Sequence, residues 1–233
     1  MSSITCSMSQ HKRVLKVQLV GNVSTGKSSF FKKAQSIYPP HEPYPCFNPA
    51  TDVISLPDIQ IGAQKWQVRL SDTNGQEKFY STPNSCLRDS TAVLIFYRTD
   101  NLQTFSDVRN FWLEKIIQTN SMPFEHGPVL ILLGNQYREM VCEVTQTEVK
   151  SLCMEFSPGK GPIHIASHRL IDTSSGEGIR ESLTECFDRI KEVLSQSVEL
   201  GNPLSLSGTV DLSVQSYAPG DLYRSKEREC CKK

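Results

Sequence analysis

Several features that would mark a particular class of protein are missing from this 233-residue sequence. The 25 Lys and Arg residues balance 25 Asp and Glu residues, so the basic excess that a protein needs to bind nucleic acid mainly through its phosphates is absent. No stretch approaches 18 consecutive apolar residues, and we expect no membrane span. Residues 1–13 are polar, without the apolar core of a signal peptide. Ser2 stands where N-myristoylation requires glycine.

The cysteines and histidines form no recognisable metal or catalytic pattern. Six of the eight cysteines are scattered, with no CxxC spacing, which is typical of reduced cysteines in a cytosolic protein. The exception is the adjacent pair Cys230 and Cys231. The five histidines suggest no Ser/His/Asp or Cys/His grouping, and we expect His164 and His168 to be structural or solvent-facing.

Apolar residues are spaced for strands that alternate with helices. Strands are predicted at residues 14–20, 53–56, 65–71, 92–97, 129–133 and 170–172. Helical spacing is found at residues 28–35, 105–116, 149–156 and 179–194. The pattern predicts an α/β fold with a six-stranded, mostly parallel sheet and helices on both faces. The segment 65–71 alternates as a half-buried antiparallel strand does.

Composition divides the chain into one domain and two flanking segments. Residues 1–13 are predicted to be a flexible N-terminus and residues 14–200 a single domain. The hydrophobic content of the whole chain, 38%, is enough for a sizeable core. Residues 201–233, rich in Ser, Gly and Pro, are predicted to be a flexible tail.

The strongest motif is GNVSTGKS, residues 21–28, which fits GxxxxGK[ST] between a predicted strand and a predicted helix. Backbone N–H groups of such a loop cradle phosphates, the lysine reaches the β and γ phosphates, and the final hydroxyl holds Mg²⁺. The predicted phosphate-binding residues are Gly21, Val23, Ser24, Thr25, Gly26, Lys27, Ser28 and Ser29.

A second motif, DTNGQE, begins at Asp72, directly after a predicted strand. A carboxylate at a strand end beside a phosphate loop can hold Mg²⁺ through water, and a glycine N–H can sense the γ-phosphate. We therefore assign Asp72 to the metal and Gly75 to the nucleotide. Gln76 would orient the attacking water, and with Lys27 it forms the candidate catalytic pair.

With these two motifs the sequence resembles the Ras superfamily of small GTPases over roughly residues 14–195. QEKF at residues 76–79 is similar to the GQERF motif of the Rab branch, and residues 105–116 are similar to its SFxxVxxWLxEI helix. The terminal CCKK resembles the CCxx ends on which Rab proteins carry two geranylgeranyl groups. The P-loop NTPase fold of small G proteins is therefore expected.

The resemblance also implies a biochemical role. It implies a GDP/GTP switch with Mg²⁺ that regulates vesicle traffic at the cytosolic face of an intracellular or plasma membrane. Effectors, an exchange factor, a GTPase-activating protein and escort proteins would be its partners, and Cys230 and Cys231 would carry the lipid. Nucleic acid is not expected as a partner.

The sequence departs from the family in the motif that reads the base. The NKxD motif aligns with Asn135, Gln136, Tyr137 and Arg138. The family's Asp accepts two hydrogen bonds from guanine, whereas arginine has only donors; Glu139 would replace that Asp only if the loop shifted. The family's ETSAK motif aligns with Asp172, Thr173, Ser174, Ser175 and Gly176, and the backbone N–H of Ser175 would still reach the guanine carbonyl.

Two further departures concern Mg²⁺ and hydrolysis. An ungapped count back from Asp72 puts Pro49 where the family has a metal-binding threonine, and Thr51 is the nearby candidate. Val23 replaces a Gly or Ser of the phosphate loop and would crowd Gln76 and an arginine finger. Three hypotheses remain: a slow Rab-like GTPase, a membrane-tethered pseudo-GTPase that binds nucleotide weakly or without cycling, and a P-loop enzyme that uses another nucleotide or acts as a kinase.

Overall fold

The computed structural model describes residues 13–39, 53–72, 87–119, 127–137 and 140–199, with side chains described to residue 196. Almost all of the expected flexible N-terminus, residues 40–52 and the whole tail, residues 201–233, lie outside these ranges. The boundaries predicted for those segments stay predictions. The described residues form the expected α/β architecture.

Six strands make one sheet in the described part of the chain, in the order β2-β3-β1-β4-β5-β6. Their bounds are β1 (Val14–Gly21), β2 (Val53–Ile61), β3 (Gln64–Ser71), β4 (Ala92–Arg98), β5 (Val129–Asn135) and β6 (Ile165–Ile171). Only the β2–β3 pair among these is antiparallel. The mostly parallel six-stranded sheet predicted from the sequence is confirmed.

Helices cover both faces of the sheet. They are α1 (Lys27–Ile37), α2 (Leu102–Asp107), a π-helical segment (Val108–Leu113), α3 (Glu114–Thr119), α4 (Gln146–Glu155) and α5 (Ile179–Glu199). The π-helical segment joins α2 to α3 without a break, so the single helix expected from the spacing of residues 105–116 is interrupted by a wider turn. None of the helices described is both long enough and apolar enough to span a bilayer.

The two faces carry separate apolar cores. Leu15, Val17 and Leu19 point to the face covered by α1 and α5, as their alternation predicts. Val20 and Ile95 belong to the opposite core, with side chains from the π-helical segment and α4. Strands buried on both faces explain the unbroken apolar runs at residues 92–97 and 129–133.

Two strand predictions each missed five residues of the observed strand. The sixth strand was predicted at 170–172, but it begins at Ile165 and ends at Ile171. It is an edge strand whose central side chains, including His168 and Arg169, are only half-buried, so its apolar signal is weak. The second strand was predicted at 53–56 but continues to Ile61 through a bulge after Leu56, which accommodates a proline on the edge of the sheet.

Candidate functional site

The predicted site residues that the structure describes lie at or near the carboxyl ends of the strands. β1 is central, with β3 on one side and β4 on the other, so the direction of strand order reverses there. In an open α/β sheet the crevice beyond the carboxyl ends of strands at such a point is where ligands bind. Residues 21–28 begin at the last residue of β1, Asp72 follows β3, Asn135 ends β5, and residues 172–176 follow β6.

Glycine geometry gives the phosphate loop its shape. Gly21 has φ +143° and Gly26 has φ +100°. A Cβ at Gly21 would lie 2.4 Å from the carbonyl oxygen of Phe96, and one at Gly26 would lie 2.4 Å from Nδ2 of Asn135. Gly26 is the N-cap of α1 and supplies no side-chain cap, so an anion can occupy the place of a capping oxygen.

The loop also holds its lysine in place. The Lys27 Nζ donates to the carbonyl oxygens of Gly21 and Asn22, at 2.7 Å in each case, and the residue is only 5% exposed. Ser28 and Ser29 are exposed at the start of α1. Lys27 is therefore fixed at the mouth of the loop, where the sequence predicts phosphate contacts.

Asp72 has the environment expected of a metal-site carboxylate. It lies directly after β3 and is 9% exposed, yet neither carboxylate oxygen has a hydrogen-bond partner among the described residues. A buried charge without a partner is strongly unfavourable unless a cation neutralises it. Carboxylate and hydroxyl oxygens are suitable ligands for Mg²⁺, so Asp72 together with the exposed Ser28 fits the predicted metal.

Asn135 ties three parts of the site together. Its side chain is fully buried; Nδ2 donates to the Thr25 carbonyl oxygen and to Thr173 Oγ1, both at 3.0 Å, and Oδ1 accepts from the Thr173 N–H at 3.1 Å. These bonds join β5 to the phosphate loop and to the segment after β6. The sequence predicts Asn135 as a nucleotide residue but does not predict the role of Thr173.

The segment after β6 is organised by Asp172. Its Oδ1 accepts from the Ser174 N–H at 2.8 Å, from the Ser174 hydroxyl, and from the Ser175 N–H at a longer 3.3 Å. These hydrogen bonds, that of the Ser174 hydroxyl first, lower the pKa of Asp172 to about 2. The Ser175 amide predicted to meet a base is thus directed toward Asp172. Gly176, with φ +92°, lies against the Lys33 side chain.

The segment that follows β5 is anchored where the base-reading motif begins. The Gln136 N–H donates to the Ile171 carbonyl oxygen at 2.8 Å. The Arg98 guanidinium lies 5.3 Å from the Tyr137 ring centre and pairs with Asp100 at 2.5 Å. The Asp100 hydrogen bond raises the pKa of Arg98.

Six of the predicted site residues lie outside the described ranges. They are Thr51, Gly75, Gln76, Arg138, Cys230 and Cys231. Their predicted roles in metal binding, γ-phosphate sensing, hydrolysis, base reading and lipidation stay predictions.

One set of residues that contacts the phosphate loop could not be predicted from the sequence. Asn22 of the phosphate loop contacts Trp112 and Asp107, which lie in or beside the π-helical segment. Residue 22 occupies a position at which the motif allows any residue. The spacing of Trp112 indicates only that it belongs to the apolar face of a helix. No local signal in the sequence joins residues 85 and 90 positions apart.

Fold and site together define a P-loop nucleotide-binding protein. A model of the Ras family matches residues 16–160, and the chain therefore belongs to the Ras family. The human Ras-related protein Rab-9B is 25% identical over 212 residues, which cover 91% of this chain and 98% of that relative.

Other relatives also carry Rab names. The Ras-related protein RabZ of Dictyostelium discoideum is 30% identical over 183 residues, covering 77% of this chain and 72% of its own. Human Ras-related protein Rab-30 is 26% identical over 133 residues, covering 56% and 60%. The chain is a divergent, Rab-like member of the family.

Proposed function

We propose that this protein is a guanine-nucleotide switch of the Rab type that hydrolyses GTP slowly and regulates membrane traffic. The observation that carries the proposal is the phosphate loop at the end of β1 together with Asp72 at the end of the neighbouring strand β3. The loop presents an uncapped helix start and a fixed Lys27, while Asp72 is a buried carboxylate whose oxygens lack partners among the described residues. An anionic phosphate chain with Mg²⁺ would satisfy both features.

Each part of the site has a role in this proposal. The loop amides and Lys27 would bind the phosphates, and Ser28, Thr51 and Asp72 would hold Mg²⁺, which neutralises phosphate charge when bound. Gln76 would place the attacking water. Asn135, Gln136, Ser174, Ser175 and Gly176 would surround the base.

Slow hydrolysis is proposed because of Val23. Its branched side chain is 38% exposed on the phosphate loop, where it would crowd Gln76 and an incoming arginine. We expect single-turnover GTP hydrolysis below that of the Rab relatives, and a several-fold faster rate in Val23→Ser. Equal rates in the two proteins would contradict this role for Val23.

Membrane attachment would come from the end of the chain. Two prenyl groups on Cys230 and Cys231 would give stable anchoring, whereas one chain gives only marginal binding. The last ten residues carry five Lys or Arg and two Glu, a mild attraction to the anionic cytosolic leaflet. Effectors, an exchange factor, a GTPase-activating protein and escort proteins would act on this tethered switch.

The second candidate is a membrane-tethered interaction module, a pseudo-GTPase. Arg138 stands where the family has its base-reading Asp, and losing two charge-assisted hydrogen bonds should reduce guanine affinity by about 10²–10³-fold. An enzyme for another nucleotide would retain the phosphate loop but show no preference for guanine.

Titration of nucleotide-stripped protein with fluorescent GDP, GTP and ATP in Mg²⁺ tests these candidates. Selective guanine binding, micromolar or tighter, supports the switch. No measurable binding, or equal binding of GTP and ATP, would reject it in favour of the other candidates. Arg138→Asp is the matched variant, and a gain of guanine selectivity in it would show that this position alone had been lost.

A further inference from the structure

The phosphate loop is bonded to the helical run at residues 107–112 through three side chains, here named the loop clamp: Asn22 of the loop itself, Asp107 and Trp112. The Asn22 Oδ1 accepts from the Trp112 Nε1–H at 2.9 Å, and its Nδ2 donates to Asp107 Oδ2. Trp112 is 1% exposed, and Asn22 and Asp107 are half-buried. Both ends of the Asn22 amide are thus held by one helical run.

The backbone of Asn22 connects the clamp to the lysine. Its carbonyl oxygen accepts from Lys27 Nζ at 2.7 Å and from the Thr25 hydroxyl at 2.8 Å. A rotation of residue 22 would therefore move the acceptor that fixes Lys27. Side-chain bonds on one side of Asn22 and backbone bonds on the other make this residue the link between the helix and the loop.

The π-helical segment makes the clamp possible. Asp107 immediately precedes the segment and Trp112 lies five positions later within it. In an α-helix, residues five apart point about 140° away from each other. In a π-helix the bonds run from i to i+5, so residues five apart lie close together on one face. The wider turn therefore lets both side chains reach the same asparagine.

We propose that Asp107 and Trp112 are positioning residues for nucleotide binding, acting through Asn22 to preorganise the phosphate loop. The part of this inference that concerns nucleotide binding rests on the proposed function. The loop geometry itself is a property of the free protein. Preorganised binding loops lose less conformational freedom when the ligand arrives, so weakening the clamp should speed nucleotide release.

The test uses the two tryptophans of the chain as a matched pair. Trp112→Phe removes the indole donor to Asn22. Trp66→Phe removes an equally buried indole whose Nε1 has no hydrogen-bond partner in the described structure. Asp107→Ala removes the second clamp bond, and Gln103→Ala removes the neighbouring Gln103–Asp107 bond of 2.8 Å without touching the loop.

Two measurements are made on each variant of the full chain. The first is amide hydrogen exchange of residues 21–27 in nucleotide-free protein; the second is the release rate of fluorescent GDP in Mg²⁺. We expect both to be about three- to ten-fold faster in Trp112→Phe and Asp107→Ala, the effect of one net hydrogen bond, and unchanged in the two controls. In an Asn22→Ala background, Trp112→Phe should add little.

The exchange measurement separates this inference from the proposed function. If unmodified protein binds no guanine nucleotide, the switch proposal fails, while the loop exchange still tests the clamp. Equal loop exchange in Trp112→Phe and Trp66→Phe would overturn the clamp, as would full additivity with Asn22→Ala. If Trp112→Phe does not fold, Asp107→Ala at its half-buried position decides between the same outcomes.

Discussion

At the scale of single residues, Gly26 shows how closely the site is built. Its φ of +100° is a conformation that L side chains rarely adopt, and Asn135 Nδ2 and Thr173 Oγ1 would lie 2.4 and 2.9 Å from an added Cβ. Backbone strain and steric overlap therefore act together at this position. A substitution here should disturb the phosphate loop and the Asn135 bonds at once.

Gly26→Ala is expected to lower the free energy of unfolding by about 3 kcal/mol or more, which combines the cost of a positive φ with an overlap that the buried neighbours resist. Gly62→Ala is the matched control, because Gly62 has φ +58° with nothing within 4 Å and should lose only about 1 kcal/mol. Urea unfolding of both proteins measures the difference. Equal losses would show that the neighbours of Gly26 move aside without strain.

Asp172 makes the free energy of unfolding depend on pH in the acid range. Its folded-state pKa of about 2 lies below the ordinary 3.8, so its contribution to stability is fully present above about pH 4 and is lost as the pH falls through 2. Unfolding free energies should therefore differ between unmodified protein and Asp172→Asn by an amount that shrinks from pH 5 to pH 2. Ser174→Ala removes the largest cause of the lowered pKa of Asp172. The pH range over which the contribution of Asp172 to stability is lost should therefore be narrower in this variant. Parallel pH profiles for unmodified protein and Asp172→Asn would contradict the assignment.

At the scale of elements, Asn135 connects three pieces of structure that are distant in sequence. It ends β5, bonds the loop after β1 and bonds the segment after β6. Because the side chain is fully buried, removing it leaves buried polar groups without this partner, which is costly. The predicted nucleotide site is therefore also a structural junction.

Asn135→Ala should lower the free energy of unfolding by about 3 kcal/mol, since it leaves the Thr173 N–H and the Thr25 carbonyl oxygen without this partner. Gln136→Ala is the neighbouring control; its side chain is half-buried, and its backbone bond to Ile171 is unaffected. Chemical unfolding of nucleotide-free protein avoids confusion with lost binding. A loss in Asn135→Ala no larger than in Gln136→Ala would show that the junction carries little stability.

Regular elements were predictable where their pattern is strong. The buried strands and the long helices have a spacing of apolar residues that is typical of those elements. The phosphate loop has a recognisable motif because its backbone conformation requires glycine at two positions. The edge strand β6 was predicted too short because half-buried residues such as His168 interrupt its pattern. The loop clamp could not be predicted, since it depends on a π-helical turn and on a contact between residues 22 and 112.

At the scale of the whole molecule, the sheet order creates the site. Residues 21–28, 72, 135 and 172–176 are separated along the chain, yet parallel strands bring their carboxyl ends to one edge. A site assembled this way can contain groups that are unfavourable for folding, provided that the rest of the sheet is well packed. Asp72 is such a group, because its buried carboxylate oxygens have no partner among the described residues.

Asp72→Asn should therefore have opposite effects on stability and on function. In nucleotide-free, Mg²⁺-free protein the neutral amide relieves a buried charge, and we expect the thermal midpoint to rise by a few degrees, the effect of about 1 kcal/mol. With GDP and Mg²⁺ the same variant should lose most of the Mg²⁺-dependent gain in nucleotide affinity, since one proposed metal ligand is gone. Thermal unfolding with and without Mg²⁺ and GDP measures both effects on one sample.

Asp58→Asn is the control, because that carboxylate pairs with Lys65 at 3.3 Å and lies on β2. A lower midpoint for metal-free Asp72→Asn would mean that the carboxylate already has a stabilising partner in the folded chain, and an unchanged Mg²⁺ response would remove Asp72 from the metal site.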